Sequence, residues 1–349
     1  MTVRQMAAVD DPEVIVANLH WRYSGVTATA RAVTPYLAPT FNLAWLGPDA
    51  PDGVDRLTFA GLLRLWMRRK PLVWHARRNN EMIVGVLLRS LGWPLKLLFT
   101  SAAQRHHSWI TRWLIARMDA VIATSELSAA FLKRDSVVVY HGVDPQAYAP
   151  PADRSAAFAE SGLPGRYAIG CFGRVRAQKG TDLFVEAMCT LLPRHPDFTA
   201  VIVGAITPDQ VAFANTLRMR IEAAGLSERI LILGELPVEQ VRDWFKRLTI
   251  FAFTSRNEGF GVTMIEAMAV GAALVASRAG AAELVVRDGD TGILVPHDEV
   301  GALTAALERL MQDPAAAQAM GARAHRQVVA DFSLDAEAAG IAAVYRALL

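Results

Sequence analysis

The chain has 349 residues with a formal net charge of +2 at pH 7, and 52% of its residues are hydrophobic against 20% charged. This composition excludes an intrinsically disordered chain, and the length is sufficient for two domains of ordinary size. Two cysteines, Cys171 and Cys189, are too few for a disulfide framework or a cysteine zinc site, so we expect a reducing, cytosolic compartment.

Strands and helices are predicted to alternate through the N-terminal half. The opening residues, MTVRQMAAVDDPE, lack the apolar core of a cleavable leader, and no apolar run in the chain reaches the length of a membrane span. A strand over Glu13–His20 leads through Ser24 and Gly25 into a helix that ends near Tyr36, and Gly25 would let this loop approach a phosphate or a sugar. Further strands are predicted at Phe41–Gly47, in PLVWHA, in PLKLLFTS, in DAVIATS and at Ser136–Asp144.

Polar and basic side chains are crowded where the strand PLVWHA ends. His75, Arg77, Arg78 and Asn79 stand within five consecutive positions there. Because the carboxyl ends of strands in an open α/β sheet face the ligand, this crowding favours contacts to an acceptor substrate over a place in the core.

A pair of histidines, His106 and His107, stands at the junction of loop and helix after the following strand. The pair has two interpretations, contact with a substrate or a capping and surface role. A metal site is the less favoured interpretation because no third ligand is close in the sequence.

The segment Arg56–Arg117 is strongly basic. It contains 12 Lys and Arg residues, one acidic residue (Glu81) and five of the eight tryptophans. A basic face rich in tryptophan suits an anionic membrane surface or an anionic acceptor, and a solvated basic half that keeps the protein soluble is the alternative. We expect no nucleic-acid partner because no helix-turn-helix, zinc or RNA-binding signature accompanies the charge.

The second half of the chain repeats the alternation of strands and helices. Pro145–Pro164, rich in Pro, Ala and Asp, is the predicted linker. We therefore predict an N-terminal acceptor-binding domain over residues 1–150, a second domain over residues 151–333 and an amphipathic helix over residues 334–349. Strand–helix alternation indicates parallel sheets, so the predicted fold class is α/β with two Rossmann-like domains.

A glycine, an arginine and a lysine follow the first strand of the second half. In the segment GRVRAQKG, Gly173 and Arg174 precede Lys179, and this set placed before a helix would grip a diphosphate. Two solvated loop cations are the alternative. Gly204 and Gly234 end the two neighbouring strands in tight loops, which would hold a flat base by backbone hydrogen bonds.

Two glutamates lie in the strand-to-helix segment TSRNEGFGVTMIEAMAVG. Glu258 is predicted at the carboxyl end of the strand Leu248–Phe253, the edge at which open α/β sheets bind ligands. Glu266 follows in an apolar segment, where an ionised carboxylate needs a partner such as a ligand hydroxyl. The alternative is a solvated loop glutamate and a helix-capping glutamate.

Asp288-Gly289-Asp290 has the D-x-D form, whose two carboxylates could hold a divalent cation. Here it lies within RDGDTGILVP, which is typical of a glycine-rich turn before a strand. We therefore predict no metal and no other cofactor, with Arg174 and Lys179 neutralising a diphosphate in place of a cation.

The segments GRVRAQKG and EGFGVTMIEAMA resemble the signature of glycosyltransferase family 4, including the E-x7-E spacing of Glu258 and Glu266. The resemblance spans nearly the whole chain and implies a retaining enzyme of the GT-B fold. In that fold two doubly wound Rossmann-like domains face a cleft, and the C-terminal helix packs back toward the N-terminal domain.

The resemblance also implies roles for individual residues. Arg174 and Lys179 would hold the donor diphosphate, Glu266 the ribose hydroxyls and Glu258 the donor sugar. The acceptor hydroxyl would attack from the face that the diphosphate leaves, and the departing phosphate oxygen would take its proton. No residue in the sequence stands out as a covalent nucleophile. Backbone amides would contribute at Phe260, Gly261 and Val262.

The N-terminal half resembles bacterial lipopolysaccharide core mannosyltransferases more narrowly, through VWHARRNNEM, TSAAQRHHSWITRWLIARMDAVIATS and HGVD. Those enzymes use GDP-mannose and a lipid-linked acceptor rich in phosphate and carboxylate. This likeness implies a peripheral position at the cytoplasmic face of the inner membrane and a donor-sugar contact at His107. It places acceptor contacts at His75, Arg77, Arg78, Asn79 and His106.

Three alternatives remain at this point. One is a UDP-sugar-dependent transferase of the same fold, for example in exopolysaccharide assembly. A second is a glycan phosphorylase or nucleotide-sugar epimerase on the same scaffold. The third, from a different class, is a non-catalytic membrane-associated scaffold that has kept the fold.

Overall fold

Residues 11–21 and 24–349 are described by a computed structural model. Residues 1–10, which include most of the segment used to predict the absence of a leader, and residues 22 and 23 lie outside the described residues. The chain divides into two units, and it passes from one unit to the other twice. One unit extends to Gly142 and resumes with Ser333–Leu349, and the other is Val143–Phe332. The first crossing therefore comes at Gly142, earlier than the predicted residue 150.

Parallel strands alternate with helices in the first unit. Its elements up to Gly142 are β1 (Val14–Ala17), α1 (Gly25–Leu37), β2 (Leu43–Leu46), β3 (Asp55–Leu57), α2 (Phe59–Arg68), β4 (Leu72–Ala76), α3 (Asn79–Ser90), β5 (Leu95–Ser101), α4 (Trp109–Ile115), β6 (Ala120–Ala123), α5 (Glu126–Ala130) and β7 (Val137–Val138). Among the described residues the strands form one sheet in the order β3-β2-β1-β4-β5-β6-β7. The connections reverse direction between β1 and β4, so the loops after these two strands lie side by side at the ligand edge.

The second unit repeats this architecture. Its elements are α6 (Arg154–Ala159), β8 (Tyr167–Phe172), α7 (Thr181–Leu191), β9 (Phe198–Val203), α8 (Val211–Ala223), β10 (Ile230–Gly234), α9 (Val238–Arg247), β11 (Leu248–Phe253), α10 (Val262–Ala269), β12 (Ala273–Ser277), α11 (Ala282–Val285), β13 (Ile293–Val295), α12 (Val300–Gln312) and α13 (Pro314–Asp331). In the described chain the strand order is β10-β9-β8-β11-β12-β13, so the reversal falls between β8 and β11. The two doubly wound sheets confirm the predicted fold class.

The last helix, α14 (Leu334–Leu348), belongs to the first unit and packs on α1. Its apolar positions recur at helical spacing, and Leu334, Ile341 and Tyr345 are buried in the core beside β1. The Tyr345 ring meets Phe41 edge to face, with 5.3 Å between centroids. The prediction that the C-terminal helix packs on the N-terminal domain is therefore confirmed.

Two segments differ from their sequence prediction. The strand predicted over Ser136–Asp144 is reduced to Val137–Val138, because the chain leaves the sheet there to enter the second unit. The predicted linker Pro145–Pro164 contains α6, which Asp153 caps by accepting from the first-turn amides. Arg154 donates from this helix to the carbonyls of Lys246, Leu248 and Val270, which fixes the segment to the second unit.

Candidate active site

The loops that follow β8 and β11 in the second unit bring Lys179 and Glu258 together. Lys179 Nζ forms an ion pair with Glu258 Oε2, and each side chain is about four-fifths buried, with 18% and 20% of its surface exposed. Ser255 Oγ lies 3.4 Å from the same carboxylate oxygen. The Thr254 hydroxyl donates to the Lys179 carbonyl at 2.9 Å, which ties the two loops by a second route.

The predicted donor-binding glycines of the neighbouring loops form a continuous backbone ledge. Gly173 N donates to Val203 O at 2.9 Å, and Gly204 N donates to Gly234 O at 2.8 Å. Gly204 has φ +153°, and a Cβ there would lie 1.9 Å from the Gly173 carbonyl oxygen, so only glycine fits at this crossing. Arg174 is exposed directly beside this ledge.

Gly280 packs against the turn between Glu258 and α10, and it is not among the predicted site residues. Phe260 is buried, and Gly261 immediately precedes the first residue of α10, Val262, so this helix begins directly after the Glu258 loop. A Cβ at Gly280 would lie 2.7 Å from Phe260 O and 3.0 Å from Glu258 Cβ. Gly280 opens the segment GAAEL, and the glycine itself was the only feature of the sequence that could have indicated this contact.

Glu266 lies on α10 and has a partner that was not predicted. Its Oε1 accepts a hydrogen bond of 2.8 Å from the Tyr148 hydroxyl. Burial raises the pKa of Glu266, while this hydrogen bond and the charge of Arg242 act to lower that pKa. Tyr148 falls in the segment predicted as a linker, where nothing in the sequence indicates such a contact.

A buried carboxylate organises the ligand edge of the first unit. Glu81 accepts from the backbone amides of Arg77 at 2.7 Å, Arg78 at 3.0 Å and Leu19 at 3.3 Å. It also accepts from Arg78 Nη1 at 2.9 Å. Glu81 is fully buried, where an ionised carboxylate without partners would be costly, and these hydrogen bonds supply the partners. The same bonds join the loop after β1 to the loop after β4.

The Arg78 guanidinium is hydrogen-bonded within the protein, which corrects the predicted role of this residue at the acceptor. Besides Glu81, its guanidinium donates to Asn18 Oδ1 at 2.9 Å, Ser24 Oγ at 2.9 Å and Thr27 Oγ1 at 2.7 Å. Those bonds hold the start of α1, where Gly25 stands with nothing within 4 Å of a Cβ position. The structure therefore assigns Arg78 to holding this loop.

His75 was predicted to contact the acceptor, and the structure shows this to be wrong. The residue lies inside β4, not after it, and its side chain is fully buried. Nδ1 lies 2.7 Å from the Tyr345 hydroxyl and Nε2 lies 2.7 Å from Thr100 Oγ1, so both nitrogens have protein partners. Burial, with a smaller effect from the charge of Arg77, lowers the pKa of His75 well below its usual value.

Arg77 and Asn79 stay at the edge of the first unit. Arg77 Nη1 is buried and has no hydrogen-bond partner among the described residues, so it can still donate to a ligand. Burial lowers the pKa of Arg77, and the nearby Tyr345 and Glu337 oppose that shift. Asn79 is exposed at the start of α3 and donates to Thr111 Oγ1 at 2.8 Å.

The two predicted histidines have different surroundings. His107 is partly buried, and within the described residues its Nε2 has no hydrogen-bond partner. Burial lowers the pKa of His107, and the charges of Arg105 and Arg112 lower it further. His106 is exposed and meets the Phe131 ring edge to face at 5.2 Å. His107 is therefore the better placed of the pair to accept a ligand contact.

The two aspartates of the D-x-D segment have contacts within the protein. Asp288 Oδ1 accepts from Leu294 N at 2.9 Å, and Asp290 Oδ1 accepts from Arg323 Nε at 2.7 Å. The segment makes the turn that leads into β13, as its composition predicts.

The basic segment contains a strongly amphipathic helix, α2. Phe59, Leu63 and Met67 recur every fourth residue and are 73%, 53% and 65% exposed. Arg64 and Arg68 are also exposed beside this apolar stripe. Along residues 11–21 and 24–349, none of the helices combines the length and the apolar character needed to cross a bilayer.

The tryptophans of this segment divide between core and surface, so only some of them contribute to the predicted tryptophan-rich face. Trp74 and Trp93 are buried, and Trp66 is partly buried. Trp109 and Trp113 of α4 are exposed. Exposed apolar side chains on the two following helices, and directly after the first of them, are Ile83, Leu87, Leu91, Trp109, Ile110 and Trp113.

Comparison with known proteins identifies the relatives of this chain. The profile of the family described as "Glycosyl transferases group 1" matches residues 153–327. The chain is 51% identical to the lipopolysaccharide core biosynthesis mannosyltransferase LpcC of Rhizobium leguminosarum bv. viciae, over 99% of each chain. It is 42% identical to the lipopolysaccharide core biosynthesis mannosyltransferase LpsB of Rhizobium meliloti (strain 1021), over 99% of this chain and 100% of the relative.

Solved structures agree with the fold. Anabaena Alr3699/HepE, in complex with UDP and glucose, aligns with a TM-score of 0.82 and 20% identity, covering 97% of this chain and 100% of that one. The C-terminal domain of a glycosyl transferase group 1 family protein (LpcC) from Francisella tularensis aligns with a TM-score of 0.54 and 32% identity, covering 55% of this chain and 99% of that one.

Proposed function

This chain belongs to the group 1 glycosyltransferases, and on that basis we propose that it transfers mannose from GDP-mannose to a lipopolysaccharide core acceptor with retention of configuration. The transferase activity follows from the family, which leaves no support for the phosphorylase, epimerase and scaffold alternatives. Similarity along the whole of two mannosyltransferases of the lipopolysaccharide core supports the sugar and the acceptor. The observation that carries the site assignment is the convergence of Lys179, Glu258 and α10 at one sheet edge.

The donor diphosphate is held by cations and amides in this proposal. Arg174, exposed beside the glycine ledge, and Lys179 neutralise the two phosphates, and the first-turn amides of α10 at Gly261 and Val262 donate to their oxygens. These groups act where negative charge develops as the diphosphate leaves, which is the most effective place for electrostatic stabilisation. The reaction then needs no bound metal.

Donor binding exchanges partners of the Lys179–Glu258 ion pair. Lys179 pairs with the diphosphate in place of Glu258, and a hydroxyl of the donor sugar donates to Glu258. Neither charge is then left without a partner. Glu266 accepts from the ribose hydroxyls, and the loops at Gly204 and Gly234 border the base.

The chemical step needs no covalent intermediate on the protein. The acceptor hydroxyl oxygen bonds to the anomeric carbon on the face from which the diphosphate leaves. The bond from that carbon to the phosphate oxygen breaks, and the leaving oxygen takes the acceptor's proton. In this proposal His107 contacts the donor sugar, and the lack of an Nε2 partner among the described residues supports that assignment.

The acceptor side is assigned to the ligand edge of the first unit. Arg77, with its unpartnered Nη1, pairs with a phosphate or carboxylate of the acceptor, and Asn79 and His106 supply further polar contacts. A lipid-linked acceptor places the enzyme at a membrane. The exposed stripe Phe59, Leu63 and Met67 with its neighbouring arginines supports peripheral binding to the cytoplasmic face of the inner membrane.

A donor screen tests the proposal. Purified enzyme is given a lipopolysaccharide core acceptor with GDP-mannose, GDP-fucose, UDP-glucose or UDP-galactose, in buffer with and without EDTA, and nucleotide release is followed. We expect release of GDP from GDP-mannose alone, undiminished by EDTA, and a product whose anomeric configuration by NMR matches the donor. Turnover of a UDP-sugar instead would establish the alternative donor, and loss of activity in EDTA would contradict metal independence.

A further inference from the structure

Tyr148 is held rigidly at the start of the second unit. Asp144 Oδ1 accepts from Gln146 N at 2.8 Å and Ala147 N at 3.0 Å, and Tyr148 N donates to Asp144 O at 3.0 Å. This turn fixes the backbone from which the tyrosine projects. The side chain is only 6% exposed, and its ring packs edge to face against Phe245, with 5.8 Å between centroids. The hydroxyl therefore has little freedom of position.

That hydroxyl is directed at the carboxylate assigned to the ribose. It donates to Glu266 Oε1 at 2.8 Å, and among the described residues Oε2 has no hydrogen-bond partner. The Arg242 guanidinium lies 5.6 Å from the centroid of the Tyr148 ring. Its positive charge also acts on Glu266, where it lowers the pKa of the carboxyl group. One oxygen of Glu266 is thus occupied by the protein, and the other remains for a ligand.

We propose that Tyr148 is a positioning residue for Glu266, holding Oε1 so that Oε2 accepts from the vicinal hydroxyls of the nucleotide ribose. The proposal rests on the proposed role of Glu266 at the ribose. A glutamate has three rotatable side-chain bonds, and a ligand contact is strongest when they are fixed before binding. Burial raises the pKa of Glu266, and the hydroxyl acts against that rise, which helps to keep the carboxylate an acceptor.

The competing explanation is that Glu266 merely satisfies a buried tyrosine hydroxyl, since buried hydroxyls need a partner. The two explanations differ in the effect that loss of the hydrogen bond would have on nucleotide affinity. A structural hydrogen bond would affect the stability of the protein and leave the preference for ribose hydroxyls unchanged. A positioning bond would change the affinity for nucleotides that carry these hydroxyls and spare those that lack them.

The test measures the affinities of wild-type protein and Tyr148→Phe for GDP and for 2′,3′-dideoxy-GDP by calorimetry. We expect the substitution to weaken GDP binding on the order of tenfold, the cost of ordering a freed Glu266 side chain on binding, and to leave dideoxy-GDP affinity within about twofold. If wild-type protein prefers UDP, then UDP and 2′,3′-dideoxy-UDP replace them. Unchanged dideoxynucleotide affinity also shows that the variant is folded.

Tyr167→Phe is the matched control, because it removes one tyrosine hydroxyl from the same unit at a partly buried position outside the site. It should leave both affinities unchanged. Equal affinity of the wild-type protein for the two nucleotides would remove the ribose role of Glu266, and this proposal with it. A wild-type preference for the ribose hydroxyls that Tyr148→Phe retains in full would overturn the positioning role alone.

Discussion

Lys179 and Glu258 neutralise each other in this chain, and the pair determines how each residue can serve a donor. The ion pair is mostly buried, so removal of either partner leaves a charge that has lost both water and counter-charge. A diphosphate and a sugar hydroxyl are the groups that can replace these partners without such a cost. The pairing thus explains why a cation and a carboxylate that are proposed to face different parts of the donor lie in contact with each other in this structure.

Lys179→Ala should weaken GDP binding by about ten- to a hundredfold, because it removes a charge-assisted contact to the diphosphate and leaves Glu258 repelling it. Lys179→Arg should restore part of the affinity. Calorimetric titration with GDP measures both. Lys246→Ala, which removes a lysine from the end of α9, is the control with expected wild-type affinity. Unaltered GDP affinity in Lys179→Ala would contradict the assignment.

His75 makes the stability of the protein depend on pH. Because burial depresses the pKa of His75, the folded state keeps the ring neutral at a pH where the unfolded chain binds a proton. The free energy of unfolding should therefore be constant above the unfolded pKa near 6.5 and fall below it by up to about 1.4 kcal/mol per pH unit. Urea unfolding between pH 7.5 and 5 measures this slope, and His75→Gln should flatten it. An equal slope in the variant would rule His75 out as its source.

At the scale of elements, helix N-termini and strand ends hold the site residues, and one amphipathic helix faces outward. α10 begins directly after the Glu258 loop, so in the proposed function its first-turn amides and Glu266 serve the same donor. α2 buries only Leu65 completely, and it exposes an apolar stripe flanked by arginines. Nothing in the first unit's core requires that stripe, which is why an external apolar surface with anionic groups suits it.

Leu63→Ser combined with Met67→Ser should reduce binding to vesicles containing phosphatidylglycerol on the order of tenfold, since each change removes apolar area that would leave water. Vesicle co-sedimentation at low and high salt measures it, and binding should weaken as salt screens the arginines. The control pair, Val211→Ser with Met219→Ser, removes two exposed apolar side chains from α8 of the second unit. Equal loss in both pairs would contradict a specific role for α2.

At the scale of the whole molecule, one topology is used twice. Each sheet reverses its strand order once, between β1 and β4 in the first unit and between β8 and β11 in the second. The reversal explains why Arg77 and the Glu81 network lie at one ligand edge and Lys179 and Glu258 at the other. α14 completes the first unit with residues from the far end of the chain, so that unit is built from two segments that are distant in sequence.

Sequence alone determined the α/β class, the two Rossmann-like halves and the grouping of Lys179 with Glu258. These follow from local patterns, because strand–helix alternation implies parallel strands whose carboxyl ends share an edge. The tertiary structure decided what each side chain faces. α14 buries His75 beneath Tyr345, Arg78 is bound to the loop after β1, and Tyr148 meets Glu266. These contacts join residues that are distant along the chain, and spacing carries no information about them because packing alone brings them together.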